Sequence, residues 1–292
     1  MGDGAVTLVG LGLMGGSLGL ALRQRGGVEV RGATRSPETA RKALAAGAVD
    51  RMFEDAGSAV EGADVVVFCA PILTIPRLVE RCRMRLEEGA LLTDVGSTKL
   101  TLHEEVSGIL GAGPGVFIGS HPICGSEQAG IDAARADLYR DAVVVLTPGE
   151  GAHEEDVGRL RGFWESVGGK VHITTPERHD RLLARSSHLP HMVASLLARV
   201  AGREDDLEDV GKFCGTGFRD TSRVAEGSPE IWMDILISNR EAVLEELKIY
   251  GQAVGELVEM LEQKQFDGIH RMLHEGQASR KRLMAYGKSN ET

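Results

Sequence analysis

Two polar segments of this chain carry side chains suited to proton-transfer chemistry. The first is D-V-G-S-T-K, Asp94–Lys99, and the second is G-S-H-P-I-C-G-S-E, Gly119–Glu127. Each follows an apolar run that predicts a buried strand, and ligands of parallel α/β sheets bind beyond the carboxyl ends of the strands. An imidazole titrates near neutral pH and suits a general base, so His121 is the candidate, with Ser97 on the neighbouring strand end. The alternative is a structural histidine held in place by Pro122.

A glycine-rich stretch near the start of the chain predicts a turn that binds a phosphate-bearing dinucleotide. In V-T-L-V-G-L-G-L-M-G-G-S, Val6–Ser17, an apolar strand runs into Gly10, Gly12 and Gly15, and a helix-competent segment, Leu18–Arg25, follows. The first glycine permits a tight turn, the second lets the backbone approach a pyrophosphate, and the third lets helix and strand pack closely. The exposed N–H groups of the helix then face the anion.

The residues after the second predicted strand, Val28–Ala33, favour NADP over NAD. NAD-binding folds place an Asp or Glu about 20 residues past the glycines on the ribose 2′-hydroxyl, whereas an Arg nearby can hold a 2′-phosphate. This chain has Thr34, Arg35 and Ser36 there, and no carboxylate. The alternative is that Arg35 is a solvated loop residue and that both cofactors are accepted. The predicted cofactor-binding set is Gly10, Gly12, Leu13, Met14, Gly15, Thr34, Arg35, Ser36, Ala70 and Pro71.

A sheet must position these residues. Apolar strands alternate with helical segments through the first half of the chain, and continuous apolar strands of this kind predict a parallel, doubly wound α/β sheet covered on both faces. Ser36 is expected to cap the second helix and Pro37 to begin it. Further strands are predicted at Ala63–Ala70, Ala90–Val95, Val116–Ser120, Ala142–Thr147 and Lys170–Thr175, and further helices at Pro76–Leu86 and Glu154–Val167.

The pattern changes at Pro176, after which no alternating strand is predicted. The chain is therefore expected to divide into a dinucleotide-binding domain at 1–175 and an all-helical domain at 176–292. A helix is predicted to begin near Glu177 with an irregularity at Pro190, because proline removes a backbone donor. The acidic stretch Glu204–Asp209 is predicted to be a solvated loop.

The helix predicted over Arg240–Lys264 carries a heptad seam. Its apolar residues are spaced 4, 3, 4, 3 and 4 apart, at Val243, Leu247, Tyr250, Val254, Leu257 and Leu261. A sustained seam of this kind needs a helical partner. The partner is either another helix of the same chain or a second copy of the chain.

The composition argues against several classes of protein. A formal charge of −10 does not suit a nucleic-acid surface, which needs clustered Lys and Arg. The four cysteines form no C-x-x-C pair, which fits reduced thiols in a cytoplasm. Residues 6–22 carry no charge, but five glycines interrupt them, so a strand and a helix explain the run better than a membrane span.

The three motifs V-G-L-G-L-M-G-G-S-L, D-V-G-S-T-K and G-S-H-P-I-C-G-S-E, in this order and spacing, make the chain resemble the prephenate and arogenate dehydrogenases of tyrosine biosynthesis. Two later motifs, S-S-H-L-P-H at Ser186–His191 and F-R-D-T-S-R at Phe218–Arg223, extend the resemblance over nearly the whole chain. It implies a Rossmann-type domain followed by a helical domain that forms a homodimer. It also implies the oxidative decarboxylation of prephenate or arogenate, which turns a cyclohexadienol into an aromatic ring.

The reaction implied by the resemblance needs a base and a cation. His121 is expected to take the proton of the ring C4 hydroxyl while hydride leaves that carbon, and Ser97 to hydrogen-bond the same hydroxyl. Arg223 matches the family's carboxylate-binding arginine, and a guanidinium holds a planar anion with two hydrogen bonds. The alternative for Arg223 is an i,i+3 ion pair with Asp220 on one helix. The two roles are compatible if Asp220 orients Arg223 towards the substrate carboxylate.

Four further residues have alternative roles. His188 is expected to contact substrate, and His191 to support it or to lie in the core. A metal site is not expected, because no third ligand accompanies the two histidines and the family uses none. Glu127 is expected at the substrate pocket unless it is a solvated loop charge. Trp232 matches an aromatic residue near the family's substrate pocket, and a core tryptophan is the alternative.

Three other functions are compatible with the sequence. A two-domain dehydrogenase of the β-hydroxyacid or imine-reducing type shares G-L-G-L-M-G, but it would rely on a lysine or acid of the helical domain instead of His121. A nucleotide-sensing protein would bind NADP without turnover. An enzyme of secondary metabolism would act on a substrate in which an amino group replaces the ring hydroxyl.

Overall fold

The computed structural model of the chain describes residues 4–124, 128–203 and 206–288, with side chains up to residue 286. Its strands are β1 Ala5–Val9, β2 Glu29–Ala33, β3 Arg51–Phe53, β4 Val65–Phe68, β5 Ala90–Asp94, β6 Gly115–Ile123, β7 Val143–Pro148 and β8 Lys170–Ile173. They form one eight-stranded sheet in the order β3-β2-β1-β4-β5-β6-β7-β8. This order reverses between β1 and β4, and such a switch point opens a ligand crevice at the carboxyl ends of the strands.

The prediction of a parallel sheet is wrong for one pair of strands. β6 and β7 run antiparallel, with His121 opposite Val145, while the other neighbouring strands pair in parallel. A parallel pair needs a long crossover, usually a helix. Between β6 and β7 the described residues form only the short 3-10 turn Ile131–Ala133, so the chain returns in the opposite direction.

β6 is longer than predicted, and this places His121 inside a strand. The predicted strand ends at Ser120, whereas β6 runs to Ile123. Its pairing with β5 stops where Leu92 lies opposite Phe117, and only β7 accompanies it further. His121 therefore lies beyond the carboxyl end of β5 on a backbone that β7 still holds.

Helices cover both faces of the sheet, as predicted. They are α1 Leu13–Arg25, α2 Pro37–Ala45, α3 Ala56–Ala59, α4 Ile75–Cys82, α5 Leu100–Leu110 and α6 Glu154–Ser166. One buried cluster includes Leu8 of β1 and Leu18 of α1, and a second includes Val66 of β4 and Val79 of α4. Burial of such side chains stabilises the fold by about 1.5–3 kcal/mol each. The two clusters hold the strand ends in place.

The starts of the first two helices differ in how well they were predicted. α1 begins at Leu13, well before the predicted Leu18, since Gly12 already acts as its N-terminal cap residue. α2 begins as predicted: Pro37 is its first residue, and the Ser36 hydroxyl accepts a hydrogen bond from the Thr39 amide. A capping hydroxyl of this kind is worth about 1 kcal/mol.

After β8 the described chain is helical, as predicted. The helices are α7 Pro176–Leu183, α8 Leu189–Ala201, α9 Leu207–Phe213, α10 Thr216–Ser222, α11 Pro229–Ser238, α12 Arg240–Glu262 and α13 Phe266–Lys288. A π-turn, Ala184–His188, joins α7 to α8 directly before Pro190. This confirms the predicted irregularity, because proline has no N–H to continue the helical hydrogen bonds.

The prediction of a solvated loop at Glu204–Asp209 is wrong for its last three residues. α9 begins at Leu207, and Glu208 and Asp209 form ion pairs with Lys212 one turn later. Acidic residues in the first turn of a helix also interact favourably with its dipole. Residues 204 and 205 lie outside the described residues.

The chain divides into two compact units, Met1–Val243 and Leu244–Thr292. In the second unit three heptad positions of α12 are open to solvent: Tyr250, Val254 and Leu261 are 41%, 44% and 54% exposed, whereas Leu247 and Leu257 are half-buried. Regularly spaced apolar side chains in this state are suited to packing against another helix. None of the described helices combines the length and apolar character that a transmembrane span requires.

Candidate active site

The glycine-rich turn has the shape that a dinucleotide needs. Gly10 has a φ of +101°, and a Cβ there would lie 2.5 Å from the carbonyl oxygen of Cys69. A Cβ on Gly15 would lie 2.0 Å from the carbonyl oxygen of Gly10, so helix and strand pack too closely for a side chain. At Gly12, in contrast, no atom of the described residues beyond its neighbours in the chain lies within 4 Å of the corresponding position. The open side of Gly12, at the start of α1, fits a pyrophosphate.

The other residues predicted at the cofactor site border the same turn. Leu13 and Met14 form the first turn of α1, and the Met14 carbonyl accepts a hydrogen bond of 2.8 Å from Tyr139. Ala70 and Pro71 follow β4, and the Ala70 amide nitrogen would lie 3.2 Å from a Cβ on Gly10. The carboxyl ends of β1 and β4 thus meet where the sequence placed the cofactor.

The segment Thr34–Ser36 lies directly after β2, beside this turn. Arg35 is exposed, and no ion pair engages it among the described residues. The Ser36 hydroxyl accepts the Thr39 amide in the α2 cap, and its single proton is what it can donate to an anion. Thr34 Oγ1 lies 3.5 Å from the Ser36 amide. The Arg35 guanidinium is therefore the main group in this segment that can bind an anion.

His121 is buried, 7% exposed, and one of its ring nitrogens is committed to another histidine. Nδ1 lies 2.8 Å from Nε2 of His179 on α7. Nε2 of His121 makes no hydrogen bond to a described residue. Burial, followed by the neighbouring His179, Lys99 and His188, lowers the pKa of His121 well below the usual value. The ring is therefore neutral at pH 7 and can accept a proton.

The hydrogen-bonded line continues from His179 to Asp180. Nδ1 of His179 lies 2.7 Å from Asp180 Oδ1. The carboxylate also accepts the amide N–H of Lys99 at 2.8 Å and that of Leu100 at 2.9 Å, at the start of α5. Asp180 thus joins α7 to the segment that follows β5.

Lys99 and Asp94 form an ion pair with no exposure to solvent. Burial lowers the pKa of Lys99, and the Asp94 carboxylate opposes that shift. Asp94 also accepts hydrogen bonds from the Gly96 amide at 2.7 Å and from the Ser120 amide at 3.0 Å. Because one carboxylate bonds both polar segments, the structure brings D-V-G-S-T-K and G-S-H-P together.

Ser97 lies in the turn that this network holds. It is half-buried, and its hydroxyl makes no hydrogen bond to a described residue. The following residue is tied down, since Thr98 Oγ1 lies 2.7 Å from the Ser238 hydroxyl of α11. The Ser97 hydroxyl is therefore available to a ligand on a turn that is fixed at both ends.

His188 presents an N–H donor. The amide nitrogen of Asn239 donates to the Asp180 carbonyl at 2.9 Å, and the same nitrogen lies 3.2 Å from His188 Nδ1. A carbonyl can only accept, so the orientation of the amide is fixed and Nδ1 of His188 is the acceptor. Burial lowers the pKa of His188 to about 4. The ring is neutral at pH 7, with its proton on Nε2.

Buried nitrogens without partners mark the surroundings of Trp232. His191 stacks on the indole at 3.5 Å between ring centroids, and His188 meets it edge-on at 6.0 Å. Nε2 of His188 and Nδ1 of His191 are buried and have no hydrogen-bond partner among the described residues. An unpaired buried donor or acceptor costs about 1–3 kcal/mol, so these atoms fit a site that a polar ligand completes.

Arg223 and Asp220 are not paired as the alternative role of Arg223 required. Both side chains are exposed, and the ion pairs of the described residues include none between them. Arg223 begins the 3-10 turn Arg223–Glu226, which packs against α8, the helix of His191. The guanidinium is therefore open to an anion. Glu127 lies outside the described residues.

Four residues of this site were not predicted from the sequence: Lys99, His179, Asp180 and Asn239. The adjacent letters H-D in P-E-R-H-D were a signal, because a buried His–Asp pair is a common way to orient an imidazole. The same letters are also typical of a solvated helix surface. Only the packing of α7 on the start of α5 distinguishes the two.

Comparison with known proteins agrees with this geometry. The family model described as "Prephenate dehydrogenase, nucleotide-binding domain" matches residues 18–173, and "Prephenate dehydrogenase, dimerization domain" matches residues 175–275. The Bacillus subtilis prephenate dehydrogenase is 32% identical over 269 residues, which cover 91% of this chain and 72% of that protein.

Two solved structures are similar over nearly their whole length. The Synechocystis arogenate dehydrogenase has 34% identity and a TM-score of 0.83, with 95% of this chain and 99% of that chain covered. The Aquifex aeolicus prephenate dehydrogenase in complex with hydroxyphenyl propionate and NAD+ has 30% identity and a TM-score of 0.89, with 97% and 99% covered. With its Rossmann-type sheet and the helices that follow, the chain belongs to the prephenate dehydrogenase family of oxidoreductases.

Proposed function

We propose that this protein catalyses the oxidative decarboxylation of prephenate, arogenate or both, in tyrosine biosynthesis, with His121 as the base. One observation carries the proposal: His121 is a neutral imidazole whose Nδ1 is held by His179 while Nε2 has no partner among the described residues. It lies on β6, beyond the carboxyl end of β5, in a fold with a dinucleotide turn. A fixed ring with one accepting nitrogen is what proton abstraction requires.

The proposed steps follow from the chemistry of the substrate. Nε2 of His121 takes the proton of the ring C4 hydroxyl, and the oxygen's electron pair forms a C=O bond as hydride leaves the same carbon. A bound nicotinamide cofactor supplies the acceptor for that hydride. The bond from C1 to its carboxylate then breaks, the carboxylate leaves as carbon dioxide, and the electron pair of that bond makes the ring aromatic. The C4 oxygen regains a proton and becomes a phenol, so the base is restored.

The remaining site residues are proposed to bind and orient the substrate. Ser97 hydrogen-bonds the C4 oxygen, because its hydroxyl is unengaged in the described structure. Arg223 holds the side-chain carboxylate, because its guanidinium is open and can form two charge-assisted bonds. His188 donates from Nε2 to an acceptor of the substrate, and Trp232 closes the pocket beside it. Asp220 and Glu127 complete the proposed substrate-binding set.

NADP is the proposed cofactor, with NAD possible as a second. Support comes from the unpaired Arg35 at the end of β2 and from the absence of a carboxylate in Thr34–Ser36. The NAD+ found with the Aquifex relative belongs to that protein. The cofactor phosphates are proposed to lie on Gly12 and the start of α1.

The protein is proposed to work as a homodimer with functional domains 1–175 and 176–292. The exposed seam of α12, which includes Val254, and the family model named for dimerization support this. The described cysteines are unpaired, which agrees with a reducing cytoplasm.

The proposal is tested by turnover with each substrate. Purified protein is given NADP and either prephenate or arogenate, and reduced nicotinamide is followed by absorbance. His121→Asn is expected to lower kcat by about 10²–10⁴-fold and to leave NADP binding, measured by calorimetry, unchanged. Full activity of His121→Asn would favour another two-domain dehydrogenase, and cofactor binding without turnover in the wild type would favour a sensor.

A further inference from the structure

The proposed reaction takes a proton from the C4 oxygen and later returns one to it. Between these steps the proton must be stored in a buried site. His121 alone is a poor store, because burial disfavours the charged form of its ring. The hydrogen bonds behind His121 offer a better place.

We propose that His179 and Asp180 form a proton relay with His121, in which His179 holds the second proton between the two steps. This inference rests on the proposed function. When Nε2 of His121 gains the hydroxyl proton, its Nδ1 proton passes to Nε2 of His179, while Nδ1–H of His179 stays on Asp180. When the ring becomes aromatic, both transfers reverse and the C4 oxygen regains its proton. No proton or electron is left over.

The direction of each hydrogen bond follows from the acceptors. Asp180 receives two backbone N–H groups, from Lys99 on Oδ1 and from Leu100 on Oδ2, so both of its oxygens act as acceptors. Nδ1 of His179 therefore carries a proton and donates it. In a neutral ring the other nitrogen, Nε2, then lacks a proton and accepts. Nδ1 of His121 must be the donor, which leaves the lone pair of the base on Nε2.

The relay places the added proton on the ring that contacts the Asp180 carboxylate directly. The titratable and charged groups are Asp94 of β5, Lys99 and His103 at α5, Glu177 and Asp180 of α7, and His188 of the π-turn. Lys99 and Asp94 neutralise each other. Asp180 is 2% exposed, and within the described part of the chain no Lys or Arg side chain forms an ion pair with it. A protonated His179 is a cation at hydrogen-bond distance from the Asp180 carboxylate, whereas a protonated His121 lies one ring further away from it.

The decisive variant is His179→Gln. A glutamine amide can still accept from Nδ1 of His121 and hold its tautomer, but it cannot store a proton. We expect kcat to fall by about 10²-fold, with KM for substrate within about twofold. In the pH profile of kcat/KM, the fall on the acid side (the acid limb) reports protonation of the coupled His121–His179 pair in the wild type. In His179→Gln this limb is expected to move about one pH unit lower, because the proton must then stay on buried His121.

The matched control is His103→Gln. His103 is also buried, and it bonds Thr147 and the Gly119 amide outside the relay. Its replacement is expected to lower the free energy of unfolding and to leave the acid limb in place. A His179→Gln protein with wild-type kcat, or with an unmoved acid limb, overturns the relay.

A second measurement needs no variant. In wild-type protein labelled with 15N-histidine, the nitrogen shifts report which ring atom carries the proton. The relay predicts the Nδ1–H tautomer for both His121 and His179, and the Nε2–H tautomer of His121 overturns it. If His121→Asn loses activity while His179→Gln keeps the wild-type kcat and acid limb, the relay alone is refuted. If His121→Asn keeps full activity, the proposed function is refuted.

Discussion

Nδ1 of His121 lies 2.8 Å from Nε2 of His179, and this bond joins β6 of the sheet to α7, the first helix after it. The partner is itself oriented by Asp180, which bonds the start of α5. The imidazole proposed as the base is therefore positioned by elements that are distant in sequence. Hydrogen bonds to Nδ1 leave Nε2 as the nitrogen proposed to accept the substrate proton.

Removal of the Arg35 guanidinium should change cofactor choice. Arg35→Ala is expected to lower kcat/KM for NADP by about 10–100-fold, the equivalent of a hydrogen bond to a charged group, and to leave NAD unaffected. Initial rates with each cofactor measure this. Arg161→Ala, an exposed arginine on α6, is the control and should change neither value. An equal loss with both cofactors would contradict the assignment of the 2′-phosphate.

Arg223 should act on substrate binding. Arg223→Ala is expected to raise KM for prephenate or arogenate by about 10–100-fold with a smaller change in kcat, because the side-chain carboxylate is held equally before and during the reaction. Steady-state kinetics give both values. Arg219→Ala, one turn earlier on α10 and also exposed, serves as the comparison. A loss confined to kcat would place Arg223 in another role.

Stability should fall at acid pH because of His188. Its pKa is lowered from 6.5 to about 4 in the fold, so the unfolded chain binds the proton more tightly. The contribution of neutral His188 to the free energy of unfolding is fully present above pH 6.5. It is lost as the pH falls towards 4, by up to about 3 kcal/mol. Urea unfolding of wild type and His188→Gln at pH 7.5 and pH 5 measures it. The variant should show a smaller loss, and an identical loss would exclude His188 as a source.

The seam of α12 should be a dimer contact. Val254→Asp is expected to convert a dimer to a monomer in sedimentation velocity, because it buries an unpaired charge between apolar side chains. Glu259→Lys, exposed and outside the heptad positions, should leave the dimer intact. A wild-type protein that sediments as a stable monomer would remove the dimer, and a dimeric Val254→Asp would move the contact elsewhere.

Local patterns predicted the parts of the site that depend on local backbone. Gly10 and Gly15 had to be glycines because a positive φ and close approaches leave no room for a side chain, and such constraints are visible in a short motif. The Ser36–Pro37 helix start was predictable for the same reason. The two polar strand ends came together because neighbouring strands end at one edge of the sheet.

Pairings between distant elements could not be predicted in this way. His179 is 58 residues from His121, and the packing of α7 against α5 and β7 brings them together. The antiparallel direction of β7 depends on its connection to β6, which an apolar run does not reveal. Asn239, which determines the proton position on His188, likewise comes from a distant segment, the turn between α11 and α12.

The central claim is most directly tested by a crystal structure with NADP and a ligand that carries a 4-hydroxyphenyl ring. Nε2 of His121 is predicted within about 2.6–3.2 Å of the ligand's 4-hydroxyl oxygen, with Nδ1 still on His179. An imidazole turned away from that oxygen, or one that meets it through Nδ1, would contradict the proposed base.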